Sequence, residues 1–170
     1  MADLYDKIKG DQGLLGKIAS VIPGFSGYMN RETRRDADKL LRETVANRYG
    51  EQLSRISDLQ VQLVSNGGID WVDDLQDAAT RLRRFIDMVR TAAYGYGGLF
   101  TAVKVDEAAL AKLYQFDAAL LENVSKVAAA IDNVEASMGS DGMAAAVRHL
   151  SSVMAEANTT YERRKEVLTS

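Results

Sequence analysis

Apolar side chains recur along this chain at steps of three and four residues, the spacing that places them on one face of an α-helix. Four stretches keep this spacing, over residues of about 30–65, 71–92, 106–138 and 141–168. No stretch alternates apolar and polar residues for long, as a half-buried strand would. The pattern therefore predicts an all-α protein with four long helices.

The apolar face of each predicted helix forms a heptad-like seam, which is typical of coiled-coil packing at shallow, left-handed crossing angles. We expect the seam residues to make the core. In the four helices in turn they are Val45, Tyr49, Gln52, Ile56, Leu59 and Leu63; Trp71, Leu75, Ala78, Leu82, Phe85, Val89 and Ala92; Leu110, Leu113, Asp117, Leu120, Val124, Val127, Ile131, Val134 and Met138; and Met143, Val147, Leu150, Met154, Ala157, Tyr161, Arg164 and Leu168.

Glycine-rich stretches separate the helices, for example Asn66-Gly67-Gly68 after the first one. Because short connections make neighbouring helices antiparallel, we predict an up-down antiparallel four-helix bundle over residues 30–170. Residues 1–29 form a separate N-terminal amphipathic segment. The first helix is the longest, so its beginning, from Asn30 to Leu41, is expected to project.

Composition narrows the classes of function. The 170 residues are 46% apolar, enough for one sizeable core, and the net charge is −3. There is no cysteine, His149 is the single histidine, and no catalytic motif occurs, so we expect no enzymatic activity, no cofactor and no metal site. The N-terminus lacks a secretory signal and no run of about 18 apolar residues occurs, which favours a cytoplasmic protein.

An acidic cluster begins the second helix. Asp70, Asp73, Asp74 and Asp77 fall on one helical face, at the end where the helix dipole favours carboxylates. We interpret the cluster as a solvated face, with a weak cation site as the alternative.

A basic run begins the first helix, but acidic residues are interleaved with it, which argues against nucleic-acid binding. Asp38 and Arg42 have the spacing of an intrahelical ion pair. The mixed charges of residues 162–166 are interpreted as an ordinary helix end. We expect a surface for a protein partner or for self-association at Arg31, Arg34, Arg35 and Lys39.

The N-terminal segment has two interpretations. Leu14, Leu15, Ile18, Val21 and Ile22 form an amphipathic stretch that could lie on a membrane surface. The favoured interpretation is that this stretch folds back through the turn at Pro23 and packs on the bundle.

Asp117 occupies a seam position between Leu113 and Leu120, where a carboxylate requires a partner. We expect a buried structural residue, with a ligand-facing carboxylate or an exposed one as alternatives. The charged partner should hold the pKa of Asp117 below its ordinary value. Candidate partners are Arg83, Arg84, Arg90, Lys104 and a tyrosine hydroxyl.

The stretch AAYGYGGLF at residues 92–100 combines aromatic residues with glycines that permit a sharp turn. Tyr94, Tyr96 and Phe100 would either pack over the end of the bundle or line a shallow ligand pocket. We favour a structural corner and keep the pocket as the alternative.

Three stretches together resemble a family of small bacterial helical proteins with an Ile-Pro-Gly-aromatic turn, an Arg-Arg-x-Ala-Asp-Lys helix and a Tyr-Gly-rich corner. They are IPGFSGYMNRETRRDADKLLRE at 22–43, RTAAYGYGGLF at 90–100 and VKVDEAALAKLYQFD at 103–117. No activity is established for that family, so the resemblance implies neither a function nor site residues.

The sequence therefore favours a non-enzymatic helical interaction or scaffold module that self-associates. The alternatives are a peripheral membrane protein acting through the N-terminal segment and a small-molecule binder at the Tyr-Gly corner.

Overall fold

The computed structural model describes residues 13–28, 34–96 and 107–169, except for the side chains of residues 92–96, 107, 168 and 169. Five α-helices occur in these ranges: α1 at residues 13–21, α2 at Arg34–Ser65, α3 at Val72–Tyr96, α4 at Glu107–Ala136 and α5 at Met143–Thr169. A short 3₁₀ turn, Ile69–Trp71, precedes α3. No strand occurs in the described ranges, so the all-α prediction is confirmed.

The heptad-like seams form the core of the protein. Nearly all of their described positions are buried, and only Trp71, Leu110 and Met138 are half-buried. Burial of a large apolar side chain contributes about 1.5 to 3 kcal/mol, so these seams are the main source of helix stability.

The end of α2 follows the predicted glycine signal. Gly67 has a φ of +80°, and the amide of Gly68 donates to the carbonyl of Leu63 at 2.8 Å. This bond satisfies a carbonyl that the ending helix would leave without a partner. Gly139, in the turn between α4 and α5, also has a positive φ, of +73°.

Helices that are adjacent in sequence run antiparallel in two hairpins. In the first hairpin, Arg42 near the beginning of α2 contacts Val89 late in α3, and Gln60 near the end of α2 contacts Val72 at the beginning of α3. In the second hairpin α4 and α5 also run antiparallel, since Asp117 early in α4 contacts Arg164 late in α5, and Lys126 further along α4 contacts Glu156 earlier in α5.

The two hairpins pack so that α2 lies beside α4 in parallel. The Tyr49 hydroxyl donates to the Leu120 carbonyl at 3.2 Å, and further along both helices Arg55 donates to the Ala128 carbonyl at 3.3 Å. On the opposite side α3 contacts α5. Helix α4, which follows α3 in the chain, therefore packs mainly on α2 and α5.

The N-terminal segment packs against these helices. Ile18 and Ile22 are fully buried, Phe25 is buried, and the carbonyl of Val21 accepts a bond from Arg48 of α2. The apolar side of α1 is therefore covered by protein. No helix in the described ranges is long and apolar enough to cross a membrane.

Candidate functional site

A buried carboxylate, Asp117, lies in the third turn of α4. It is 0% exposed, and its two oxygens accept from different segments of the chain. The Arg164 Nε of α5 donates to Oδ1 at 2.6 Å, and the Tyr28 hydroxyl donates to Oδ2 at 2.6 Å. The burial predicted from the seam is present, and so is a tyrosine hydroxyl partner.

Arg164, the arginine that binds Asp117, is not one of the candidate partners predicted from the sequence. Arg83, Arg84 and Arg90 of α3 are exposed, and Arg90 donates to Asn47 instead. Lys104 lies outside the described residues. The expectation failed because α5, not α3, is the helix that lies beside this face of α4.

Arg164 connects Asp117 to a second buried carboxylate, Asp38 of α2. The Arg164 side chain is 1% exposed, and its Nη2 donates to Asp38 Oδ1 and, at 3.2 Å, to the Tyr28 hydroxyl. Arg42 supplies the second cation, since its Nε donates to Asp38 Oδ2 at 2.7 Å. Tyr28, Asp38, Arg42, Asp117 and Arg164 therefore form one buried charge network, with two carboxylates balanced by two guanidinium groups.

Tyr28 is held in place by Tyr114 of α4. Its amide donates to the Tyr114 hydroxyl at 2.8 Å, and the two rings stack with centroids 5.3 Å apart. Gly27 has a φ of +86°, and a Cβ built on it would lie 2.5 Å from the Tyr114 oxygen. A glycine is required there for both reasons, so the sequence GY at 27–28 places the tyrosine in the network.

Burial and charge shift the acid-base equilibria of the network in different directions. Burial, only partly opposed by Arg164, raises the pKa of Asp117, so the lowered pKa expected from the sequence is wrong. Burial alone would also raise the pKa of Asp38, but Arg164 and Arg42 together outweigh it and lower that pKa. The difference follows from geometry, since Asp38 contacts two guanidinium groups and Asp117 contacts one.

Tyr28 and Arg164 keep their ordinary ionisation states. Burial, reinforced by the Asp117 charge, raises the pKa of Tyr28 well above its ordinary value, so the hydroxyl remains a donor. Burial opposes the charge on Arg164, but Asp117 and Asp38 outweigh it and raise the pKa of Arg164. Because all members are buried and bonded to one another, the network holds α2, α4, α5 and the N-terminal segment in fixed relative positions.

The predicted partner surface is only partly exposed. Arg35 and Lys39 are exposed, whereas Arg34 is half-buried and donates through Nε to the Tyr28 carbonyl. Arg31 lies outside the described residues. The prediction that this part of α2 projects is wrong from residue 37 onward, because its inner face is buried at Ala37, Asp38 and Leu41, and Asp38 is bonded to Arg164 of α5.

The Tyr-Gly corner begins later than expected. Helix α3 continues to Tyr96, so Tyr94 and Tyr96 belong to its last turn. Their side chains, and all of Phe100, lie outside the described residues. His149 is exposed, and no group of acidic, histidine or cysteine residues in the described ranges could hold a metal ion.

From the sequence, Asp38, Arg42 and Arg164 are not placed in a common site, although a signal for each of them exists. Arg164 occupies a seam position of α5, three residues after Tyr161, which indicates burial. It also lies inside the charged run at residues 162–166, which favours exposure. One heptad before Val45 and Tyr49 are positions 38 and 42, so extending the α2 seam backwards finds Asp38 and Arg42 as core positions.

Comparison of the chain with models of protein families, with curated proteins and with solved structures gives no match.

Proposed function

We propose that the protein is a non-enzymatic helical interaction module that self-associates through the end of α2. The observation that carries the proposal is the placement of exposed large apolar side chains. Within the described residues these are Val61, Val64 and Ile69, with 67%, 57% and 64% of their surface exposed. We call them the end patch.

The end patch lies on the helical scaffold made of α2 to α5. We infer that α2 to α5 form a four-helix bundle made of the two antiparallel hairpins, with the buried charge network toward one end. The patch belongs to the other end, where α2 stops and α3 begins. Val61 and Val64 are three residues apart and therefore lie on the same face of α2.

A second copy of the chain is the partner that the charge pattern favours. Residues 59–69 contain no charged side chain, in a protein whose charged content is 26%. A two-fold contact places the same surface on both sides, so like charges would oppose one another in a charged patch. A neutral apolar patch avoids that repulsion.

The other proposals have less support in the described residues. Ile18 and Ile22 are covered by protein, so the N-terminal segment would have to detach before its apolar side could reach a membrane surface. The side chains of the Tyr-Gly corner, the proposed small-molecule site, lie outside the described residues.

Light scattering after size-exclusion chromatography over a range of protein concentrations tests the proposal. We expect a mass that increases with concentration, and we expect Val61→Glu to remain a monomer because a buried unpaired carboxylate opposes association. Gln115→Glu, which adds the same charge at an exposed site on α4, is the matched control and should associate normally. A monomeric wild-type protein at every concentration, or a Val61→Glu variant that still associates, would contradict the proposal.

A further inference from the structure

A groove opens on the surface between the first half of α2 and the second half of α3. It encloses about 710 Å³, including the solvent at its mouth, and is lined by Lys39, Arg42, Glu43, Asn47 and Arg90. Three of these five side chains are cations and one is an anion, in a protein whose net charge is −3. Asp38 balances the charge of Arg42 in the buried network, so the groove carries a local excess of one positive charge, opposite in sign to the charge of the whole chain.

Arg42 is the fixed element of this groove. Its side chain is 6% exposed, its Nε donates to Asp38, and its Nη1 donates to the carbonyls of Val89 and Arg90, both at 3.2 Å. These bonds set the plane of the guanidinium group before any ligand arrives. Nη2 takes part in none of them and is the group that Arg42 can offer to a ligand in the groove.

The two other cations lie on the rim and are only weakly engaged. Lys39 Nζ lies 3.9 Å from Glu43 Oε1, and both side chains are more than half exposed. Such a pair contributes little, since exposed ion pairs are worth about 0 to 1 kcal/mol. Arg90 donates from Nη2 to the neutral amide oxygen of Asn47 at 3.1 Å, so its charge has no carboxylate partner in that contact.

We propose that this groove is a binding site for a phosphorylated small molecule, with Arg42 as its fixed donor and Lys39 and Arg90 closing on the same anion. The Arg42 Nη2 group can donate a charge-assisted hydrogen bond to a phosphate oxygen, and a multiply charged anion matches several cations better than a single carboxylate does. Lys39 would exchange its long contact with Glu43 for the ligand. The site is independent of the end patch, which lies at the far end of α2.

Inorganic pyrophosphate is the probe, titrated into the full chain by calorimetry at low ionic strength. We expect saturable binding that Lys39→Gln and Arg90→Gln each weaken about tenfold, equivalent to about 1.4 kcal/mol for one charge-assisted contact. Glu43→Gln should strengthen binding, because it removes the carboxylate that is paired with Lys39.

The matched control is Lys126→Gln, which removes an exposed cation from α4, away from the groove. It should bind pyrophosphate as the wild-type protein does. Undetectable binding by the wild-type protein at millimolar pyrophosphate, or equal weakening by Lys126→Gln and the two groove variants, would overturn the site. All four substitutions are at exposed positions, so unchanged far-ultraviolet circular dichroism is expected for each variant.

Discussion

Replacing Arg164 with methionine removes the guanidinium that joins the two buried carboxylates. Asp38 would keep its contact with Arg42, whereas Asp117 would keep only the Tyr28 hydroxyl. Removal of one partner from a buried ion pair commonly costs about 3 to 5 kcal/mol, because the other charge stays buried without compensation. We expect a loss of about 4 kcal/mol, a large part of the 5 to 15 kcal/mol that is typical of a folded domain.

Equilibrium unfolding in urea measures this loss. With a slope of about 2 kcal/mol per molar urea, 4 kcal/mol lowers the midpoint by about 2 M. Arg163→Met is the matched control, since Arg163 is the exposed neighbour in the same helix turn, and its cost should stay within about 0.5 kcal/mol.

The pH dependence identifies the group responsible. Burial already raises the pKa of Asp117 in the native protein, and loss of Arg164 should raise it further. A carboxyl whose pKa is higher in the folded than in the unfolded state loses stability as the pH rises between the two values. The deficit of Arg164→Met should therefore shrink from pH 7 to pH 5, by at most about 1.4 kcal/mol per pH unit.

A double-mutant cycle completes the test. Asp117→Asn should recover part of the stability lost in Arg164→Met, with a coupling energy of about 0.5 to 3 kcal/mol, because it removes the uncompensated charge. A deficit that matches the Arg163→Met control, that is independent of pH, or that simply adds to the cost of Asp117→Asn would refute this account of the network.

Three further results are expected. The pKa of Asp38 is lowered in the folded protein, so the stability that its charge contributes should be present above the unfolded pKa of about 3.8 and be lost as the pH falls through the folded pKa. Asp38→Asn should remove that part of the acid dependence, as measured by urea unfolding. Gly27→Ala should cost about 2 kcal/mol or more in the same assay, because its φ of +86° and the 2.5 Å approach of the Tyr114 hydroxyl both oppose a Cβ, whereas Gly24→Ala, with a φ of +84° and open space, should cost about 1 kcal/mol. Tyr28→Phe should cost about 1.5 to 3 kcal/mol, the value of a hydrogen bond to a buried charge, and equal stability of the two proteins would contradict that bond.

Helical periodicity was sufficient to predict the elements and most of the core. Positions such as Tyr49, Leu82, Leu120 and Leu150 follow from steps of three and four, because one face of each helix must leave water. Asp117 was recognised for the same reason, as a charge in a sequence of positions that are otherwise apolar.

The partners in the site could not be predicted in this way. Periodicity gives the buried face of one helix but not which other helix lies against it. The candidate arginines for Asp117 therefore come from α3, the preceding helix, whereas the arginine that binds it belongs to α5. Asp38 and Arg42 also have the i, i+4 spacing that is typical of an exposed intrahelical ion pair. Because this pairing explains both charges without burial, the spacing alone gives no reason to expect them in the core. The contribution of Tyr28 depends on the path of the chain around Gly27, which no periodic signal reports.

The buried charge network also has a consequence for the order of folding. Its contacts between the hairpins and with Tyr28 join residues that are 89, 126 and 136 positions apart, whereas the hairpin contacts described above span 12 to 47 positions. Closing long loops is entropically costly, so we expect a transition state built on local helical contacts to be reached before the network forms. Substitutions in the network should accordingly accelerate unfolding and leave the refolding rate nearly unchanged, which makes these few polar contacts a determinant of how long the native state persists once formed.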